Sequence, residues 1–277
     1  MEKPFWVAIQ ANNFALSTEP SLAELTVELL GYLSALDPFL RDEVGYDVLA
    51  HWIDRGHYTP TEMVAMADQM VLNLQTGLGE QGSDSVYLRA FSLLVLGELL
   101  GRDIDAPYLT PAQLNRFVQA AFAWASAEVD LRGFDLQNGW IHTGAHGGDL
   151  LRVIGKHPRV TDLAGVLGAV ASLTTRPHGH HFHFDEDERL VTAVLAVLGR
   201  PELEPPVFER FLNQVSEGWD LRSAQVINKT GEPNLINVVT RQNCRNLLRS
   251  LYFALLERGD ERSTLVATAL KGIRRWV

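Results

Sequence analysis

Two four-residue segments, TPTE at 59–62 and TPAQ at 110–113, constrain the fold of this chain most strongly. Each places threonine at a helix N-cap, proline at the first helical position and a glutamate or glutamine at the third. In this arrangement the two polar side chains satisfy backbone N–H groups that a helix start leaves unpaired. Both segments therefore predict the start of a helix.

Apolar residues repeat at helical spacing along most of the remaining chain. In residues 41–54, Val44, Val48 and Trp52 recur every four positions and form one apolar stripe. Similar stretches occupy 21–36, 84–100, 139–154, 161–174, 186–199, 206–217, 234–257 and 261–275. Alternation typical of a strand is confined to HGHHFHF at 178–184. The sequence predicts an all-α chain with roughly eleven helices.

The breaks between these stretches are short and rich in Gly, Pro, Asp and Asn, and none has the composition of a domain linker. Short connections favour antiparallel neighbouring helices. We therefore expect a single all-helical domain over residues 1–277, built of stacked antiparallel helices as in a HEAT or armadillo-like α–α superhelix.

Charge and cysteine content limit the partners and the compartment. The formal net charge of −10 disfavours binding to nucleic acid, which needs clustered Lys and Arg. No apolar run reaches the roughly 18 residues of a membrane span, and the start of the chain does not resemble a signal peptide. A single cysteine, Cys244, fits a reducing cytoplasm and is expected to be a packing residue. We expect a cytoplasmic protein that binds a protein or a small anionic ligand; the oligomeric state stays open.

The segment GWIHTGAHGGDLL at 139–151 contains a candidate metal site. On a helix, His142, His146 and Asp149 fall within about 60° of one another, so their side chains share one face. Two imidazoles at i and i+4 with a carboxylate one turn later suit a divalent ion such as Zn, Mn or Ni. Thr143 stands where a zinc protease carries its glutamate, so the segment does not belong to that class.

The glycines of the same segment support a second interpretation. Gly144, Gly147 and Gly148 each cost a helix about 1 kcal/mol relative to alanine. They indicate that a neighbouring element approaches the helix backbone closely. The two histidines would then be buried polar groups that hydrogen-bond carbonyl groups of that neighbour. The metal site and the structural role both remain open from the sequence.

A second histidine-rich segment, HGHHFHFDEDERL, covers residues 178–190. A connecting helix can return this segment beside the first one, which makes His183, Asp185 and Glu186 candidate pocket residues or supporting partners of a metal ligand. An alternative explains the acidic residues alone: Asp185 with Glu188 has the spacing of an N-cap and capping box. That alternative leaves the histidines unexplained.

Two arginine features complete the candidates. Arg241, Arg245 and Arg249 repeat at i, i+4 and i+8 on one predicted helix. Such a stripe usually pairs with acidic neighbours or lies in solvent, but it could hold a phosphate or carboxylate if Arg241 and Arg245 faced the histidines. Arg89 lies on an otherwise apolar helix and is expected to form a buried structural ion pair.

Four segments resemble a bacterial family known as domain of unknown function 2785: DSVYLRAFSLLVLGELL at 84–100, DLRGFDLQNGWIHTGAHGGDLL at 130–151, DEDERL at 185–190 and RNLLRSLYFALL at 245–256. The resemblance covers most of the chain after residue 80. It implies a soluble bacterial helical protein. It supplies no established activity, so no catalytic role is carried over from it.

Three functions are compatible with these features. The first is a helical-repeat binding or scaffold module. The second is a metal-dependent hydrolase, in which His142, His146 and Asp149 hold a divalent ion and Asp185 or Glu186 acts as base. The third is a small-molecule or anion receptor that uses the arginine stripe, with the histidines as hydrogen-bond donors. The sequence contains no glycine-rich phosphate loop, Ser-His-Asp pattern or dinucleotide fingerprint, and it leaves open whether the protein is an enzyme.

Overall fold

A computed structural model describes residues 1–217, 219 and 231–273 of the chain. It is 67% helical, with one small two-stranded sheet in the part that it describes. The prediction of an all-α fold is confirmed. None of the helices in this part of the chain is both long and apolar enough to cross a membrane.

The helices follow one another through short connections. In chain order they are α1 (Lys3–Ala11), α2 (Leu22–Tyr32), a π-helix (Phe39–Tyr46), α3 (Asp47–Asp54), α4 (Pro60–Asn73), α5 (Ser85–Asp105), α6 (Pro111–Ala127), α7 (Thr143–Lys156), α8 (Leu163–Thr175), α9 (Glu186–Leu198), α10 (Pro205–Ser216), α11 (Leu235–Glu257) and α12 (Ser263–Ile273). The strands β1 (Phe134–Asp135) and β2 (Gly139–Trp140) lie between α6 and α7.

The two predicted capping boxes start helices as expected. The backbone N–H of Thr59 donates to Glu62 at 2.8 Å, and that of Thr110 donates to Gln113 at 2.8 Å. Their helices, α4 and α6, begin at the following prolines. The same arrangement caps α2 through Ser21.

The hairpin of β1 and β2 is absent from the sequence prediction, which extends a helix back to residue 139. Asp135 closes the turn, since its carboxylate accepts the backbone N–H groups of Gln137 and Asn138. Gly139 follows with φ +76°, which an L side chain rarely adopts. Residues 136–138 connect Asp135 to its paired residue Gly139, and a short connection that ends at such a glycine favours a hairpin over a continuous helix. The hairpin places Trp140 shortly before α7, from which Ile141 and His142 separate it.

The buried apolar side chains form one contiguous cluster from Trp6 to Ile273 among the described residues. Within it, α7 packs against α5 on one side and α9 on the other. Two predictions about buried residues are confirmed here. Arg89 forms a fully buried ion pair with Glu128, and Cys244 is a buried packing residue whose burial raises the thiol pKa.

Candidate functional site

Helices α7 and α9 approach each other at glycines of α7. A Cβ atom on Gly148 would lie 2.8 Å from the backbone carbonyl carbon of Arg189, and one on Gly144 would lie 3.3 Å from Cγ of Glu186. A Cβ atom on Gly147 would lie 2.6 Å from the indole of Trp124 on α6. Side chains at these positions would separate the helices. The expected close approach of a neighbouring element is confirmed.

Two sequence expectations are wrong at the starts of α7 and α9. Helix α7 begins at Thr143, so His142 is its N-cap and has left-handed backbone angles, φ 54° and ψ 30°. Only His146 and Asp149 of the predicted triad lie inside the helix. Asp185 caps α9 in the same unusual conformation, with φ 63° and ψ 20°. Its side chain makes no capping hydrogen bond, so the predicted capping box with Glu188 does not form.

Aromatic rings surround these two N-caps. The Trp140 ring stacks on the His142 ring with centroids 4.2 Å apart, and its centroid is 5.3 Å from that of Phe184, the residue before Asp185. Phe134 packs edge-on against Trp140 at 4.7 Å. Phe134 and Trp140 are each 40% exposed, which is high for large aromatic side chains. We call the partly exposed surface formed by Phe134, Trp140, His142, Phe184 and Asp185 the α7–α9 mouth.

A buried arginine of the π-helix holds the hairpin that carries Trp140. One terminal nitrogen of Arg41 donates to the carbonyl oxygens of Asn138 and Trp140, at 2.7 and 2.9 Å. Its guanidinium lies 4.3 Å from the ring centroid of Tyr87. Arg41 is fully buried, and no carboxylate in the described part of the chain forms an ion pair with it. Because a buried cation needs hydrogen bonds, the arginine fixes the loop around it.

Below the mouth, His146 is held in one tautomer. Its Nδ1 lies 3.1 Å from the carbonyl oxygen of Ala90 on α5. A carbonyl oxygen only accepts, so Nδ1 carries the proton and Nε2 carries the lone pair. Burial, reinforced by nearby His142, lowers the pKa of His146 to about 3. The ring is therefore neutral and offers a hydrogen-bond acceptor at ordinary pH.

The polar groups beside His146 are also desolvated. Burial lowers the pKa of His142, and the positive charge of Arg189 lowers it further. The Nδ1 atom of His142 is buried and has no hydrogen-bond partner within the described residues. Glu186 is buried behind Gly144, accepts the backbone N–H of Phe184 at 2.7 Å, and has a raised pKa because of its burial.

The third predicted ligand, Asp149, has a different partner. Its carboxylate forms an ion pair with Arg189 of α9. The pair lines a cavity of about 280 Å³ between α5, α7 and α9, next to Tyr46 and Glu98. The Tyr46 hydroxyl donates to Glu98 at 2.8 Å. The positive charge of Arg189 also acts on His142, a residue of the α7–α9 mouth.

The remaining candidates lie elsewhere. The ring of His183 is exposed and pairs with that of His181. Arg241 is buried and donates to the carbonyl oxygens of Trp219 and Ile273, and Arg245 donates to Gln242 on its own helix. Across residues 1–217, 219 and 231–273, no group of three or more His, Cys, Asp and Glu side chains is arranged to hold a metal ion.

The left-handed conformation of His142 predicts an unusual order of stabilities. We expect His142→Gly to be more stable than His142→Ala by about 1 kcal/mol, because glycine adopts this conformation without the cost that a Cβ imposes. Both variants lose the stack on Trp140, so the difference between their free energies of unfolding reports the cost of the backbone conformation. Denaturant unfolding measures it. At Glu188, inside the first turn of α9, the same pair of substitutions should give the opposite order. If His142→Gly and His142→Ala were equally stable, the left-handed backbone at position 142 would not be strained.

The low pKa of His146 predicts acid sensitivity. Below the ordinary histidine pKa of 6.5, the unfolded chain binds a proton that the folded protein excludes until about pH 3, so the free energy of unfolding decreases as the pH is lowered. Relative to His146→Gln, the free energy of unfolding of the wild type should fall by about 1.4 kcal/mol per pH unit between about pH 6 and pH 4. Urea titrations of both proteins across this range test it. If the difference in free energy of unfolding between the two proteins did not change with pH, His146 would take up a proton in the folded state as it does in the unfolded chain.

Comparison with known proteins identifies a matching family. A family model described as "Protein of unknown function (DUF2785)" matches residues 74–253, which include α5, the hairpin, α7 and α9. No curated protein and no solved structure shows significant similarity to the chain. The matched region contains every residue of the α7–α9 mouth.

Proposed function

Because the chain belongs to the DUF2785 family of proteins of unknown function, we propose its function from the site itself: it is a binding protein that holds a small polar molecule at the α7–α9 mouth. Binding is the role expected from the sequence, and the proposal assigns it to this location. This proposal combines two of the hypotheses drawn from the sequence, the binding module and the small-molecule receptor. It assigns the ligand to the histidines and Asp185 and not to the arginine stripe.

The observation that carries this proposal is the pair of left-handed N-caps. His142 and Asp185 are non-glycine residues at the starts of two helices in close contact, and each has a conformation that costs about 1–2 kcal/mol. Glycine would remove that cost at either position. Strained residues of this kind cluster at ligand sites, where the side chain is needed despite the backbone cost.

The chemistry of the mouth indicates what it binds. His146 offers the Nε2 lone pair, and the exposed Asp185 offers a carboxylate, so acceptors predominate among the free groups. A ligand that donates hydrogen bonds, through hydroxyl or amino groups, complements them. Phe134 and Trp140 offer apolar ring surface to the same molecule.

Thermal unfolding with a panel of small sugars, polyols and alkylamines tests the proposal. At least one compound should raise the Tm of the wild type, because a ligand of the folded state stabilises it by mass action. The shift should disappear in Asp185→Ala and persist in Glu188→Ala, a matched change of an exposed acidic residue one turn away. If every active compound stabilises Asp185→Ala as strongly as the wild type, the ligand site lies elsewhere.

A metal-dependent hydrolase is the second candidate, and the anchored tautomer of His146 favours it. A histidine that binds a metal through one nitrogen usually donates its other N–H to a carbonyl or carboxylate, as His146 does to Ala90. In this candidate His142 and His146 hold the ion, and Asp149 joins them only after leaving Arg189. Titration with zinc, manganese and nickel tests it. Uptake that His146→Ala abolishes supports this candidate, and uptake unaffected by that change excludes it.

Two broader expectations remain part of the proposal. The single cysteine supports a cytoplasmic protein, and the family resemblance implies a bacterial one. The succession of helices through short connections supports a stacked, repeat-like α–α arrangement in a single domain over residues 1–277. A larger binding partner, such as a protein, would then contact the surface around the mouth.

A further inference from the structure

The segment between α8 and α9 carries a pair of histidines outside the α7–α9 mouth. The Nδ1 atoms of His181 and His183 are 3.2 Å apart, and their ring centroids are 4.3 Å apart. Phe182, between them in sequence, is buried, whereas His183 is exposed and His181 partly exposed. The two imidazoles therefore lie side by side at the surface with equivalent nitrogens facing each other.

The backbone that carries this pair is fixed from both ends. The side-chain amide of buried Asn243, on α11, accepts the N–H of Phe182 at 3.0 Å and donates to the carbonyl oxygen of His180 at 2.8 Å. Beyond the pair, the N–H of Phe184 donates to Glu186. These hydrogen bonds hold the segment against α11 and α9. The backbone that carries the two rings is therefore fixed in position.

The spacing of the two nitrogens matches that of neighbouring ligands on one metal ion. Zinc–imidazole bonds are about 2.0–2.1 Å long, and two such bonds at angles of about 100–109° place their nitrogens about 3.1–3.4 Å apart. Without a metal, one Nδ1 must donate its proton to the other. A divalent ion replaces that single shared proton and uses both lone pairs.

We propose that His181 and His183 chelate one borderline divalent cation, such as Zn²⁺, through their Nδ1 atoms. Water completes the coordination on the exposed side. Imidazole nitrogen is a preferred ligand of this class of ions. Burial lowers the pKa of His181 and keeps its ring neutral, and the carboxylate of Asp187, which accepts a hydrogen bond from Ser250 at 2.8 Å, places a negative charge near it. This site is independent of the ligand proposed for the mouth.

Calorimetric titration of the untagged, chelator-free chain with Zn²⁺ tests the site. The wild type should bind one equivalent, and His181→Ala and His183→Ala should each weaken binding by more than the roughly 10- to 100-fold that loss of a supporting partner costs. His57→Ala, a change of a partly exposed histidine elsewhere, should leave the affinity unchanged, as should His146→Ala.

A spectroscopic measurement adds the atomic assignment. In ¹H–¹⁵N spectra of the histidine rings, Zn²⁺ should shift the Nδ1 resonances of His181 and His183 together and leave that of His146 in place. Circular dichroism checks that the variants fold. A wild type that takes up no Zn²⁺, uptake undiminished in both single variants, or uptake lost only with His146→Ala would each overturn the proposal.

Discussion

Glu128→Ala is expected to destabilise the protein by about 3–5 kcal/mol, because it leaves the buried guanidinium of Arg89 without its counter-charge. Both side chains of the pair are fully buried, with Nε and Oε2 2.6 Å apart. The same carboxylate accepts the indole N–H of Trp124 and the backbone N–H groups of Val129 and Asp130. Its loss therefore also releases the start of the loop that leads to the hairpin. Denaturant unfolding gives the free energy.

A double-mutant cycle separates the pair from the rest of the effect. Adding Arg89→Met to Glu128→Ala should recover part of the loss, because no unpaired buried charge remains. Glu202→Gln, which changes the exposed partner of Arg200, should change stability little. If Glu128→Ala alone proved as mild as Glu202→Gln, the buried pair would not support the fold in the way described.

Gly148→Ala is expected to destabilise the protein by about 2–3 kcal/mol and to lower its Tm by roughly 5–10 °C. The new Cβ would meet backbone atoms of Arg189 and Leu190, at 2.8 and 2.9 Å, and backbone cannot yield as a flexible side chain can. The helices would have to separate where α7 and α9 position the mouth. Thermal and denaturant unfolding measure the loss.

Gly168 provides the matched control for this change. It lies inside α8, and a Cβ added there would meet no atom within 4 Å. Gly168→Ala should therefore stabilise the protein by about 0.5–1 kcal/mol through helix propensity alone. If both alanine variants were stabilising, the close contact between α7 and α9 would be wrong.

Local signals in the sequence were sufficient for most of the fold. Apolar periodicity and the capping boxes predicted the helices because both depend on residues within a few positions of each other. The three glycines predicted a close contact without identifying the partners, which are α9 for Gly144 and Gly148 and Trp124 of α6 for Gly147. The hairpin was missed although Asn138-Gly139 is a hairpin signal, because the apolar periodicity of the following helix extends over it.

The candidate site could be predicted only in part, since its geometry depends on contacts distant in sequence. His142, His146, Asp185 and Glu186 were identified as candidates by residue type and spacing. The sequence has no signal for a left-handed histidine at a helix start, so the expected helical face included His142. Asp149 could not be assigned because its partner, Arg189, comes from another helix. Arg41 was missed for the same reason, since it contacts the hairpin about one hundred residues away.

The central claim is that the α7–α9 mouth is the ligand site, and NMR mapping of binding tests it most directly. Any sugar, polyol or alkylamine that stabilises the wild type should shift the indole N–H of Trp140 and the backbone amides of residues 142–146 and 185–189. Asp185→Ala should abolish these shifts while its spectrum stays that of a folded protein. Shifts confined to another surface, such as the groove between α9 and α11 around Arg249 and Phe253, would contradict the account.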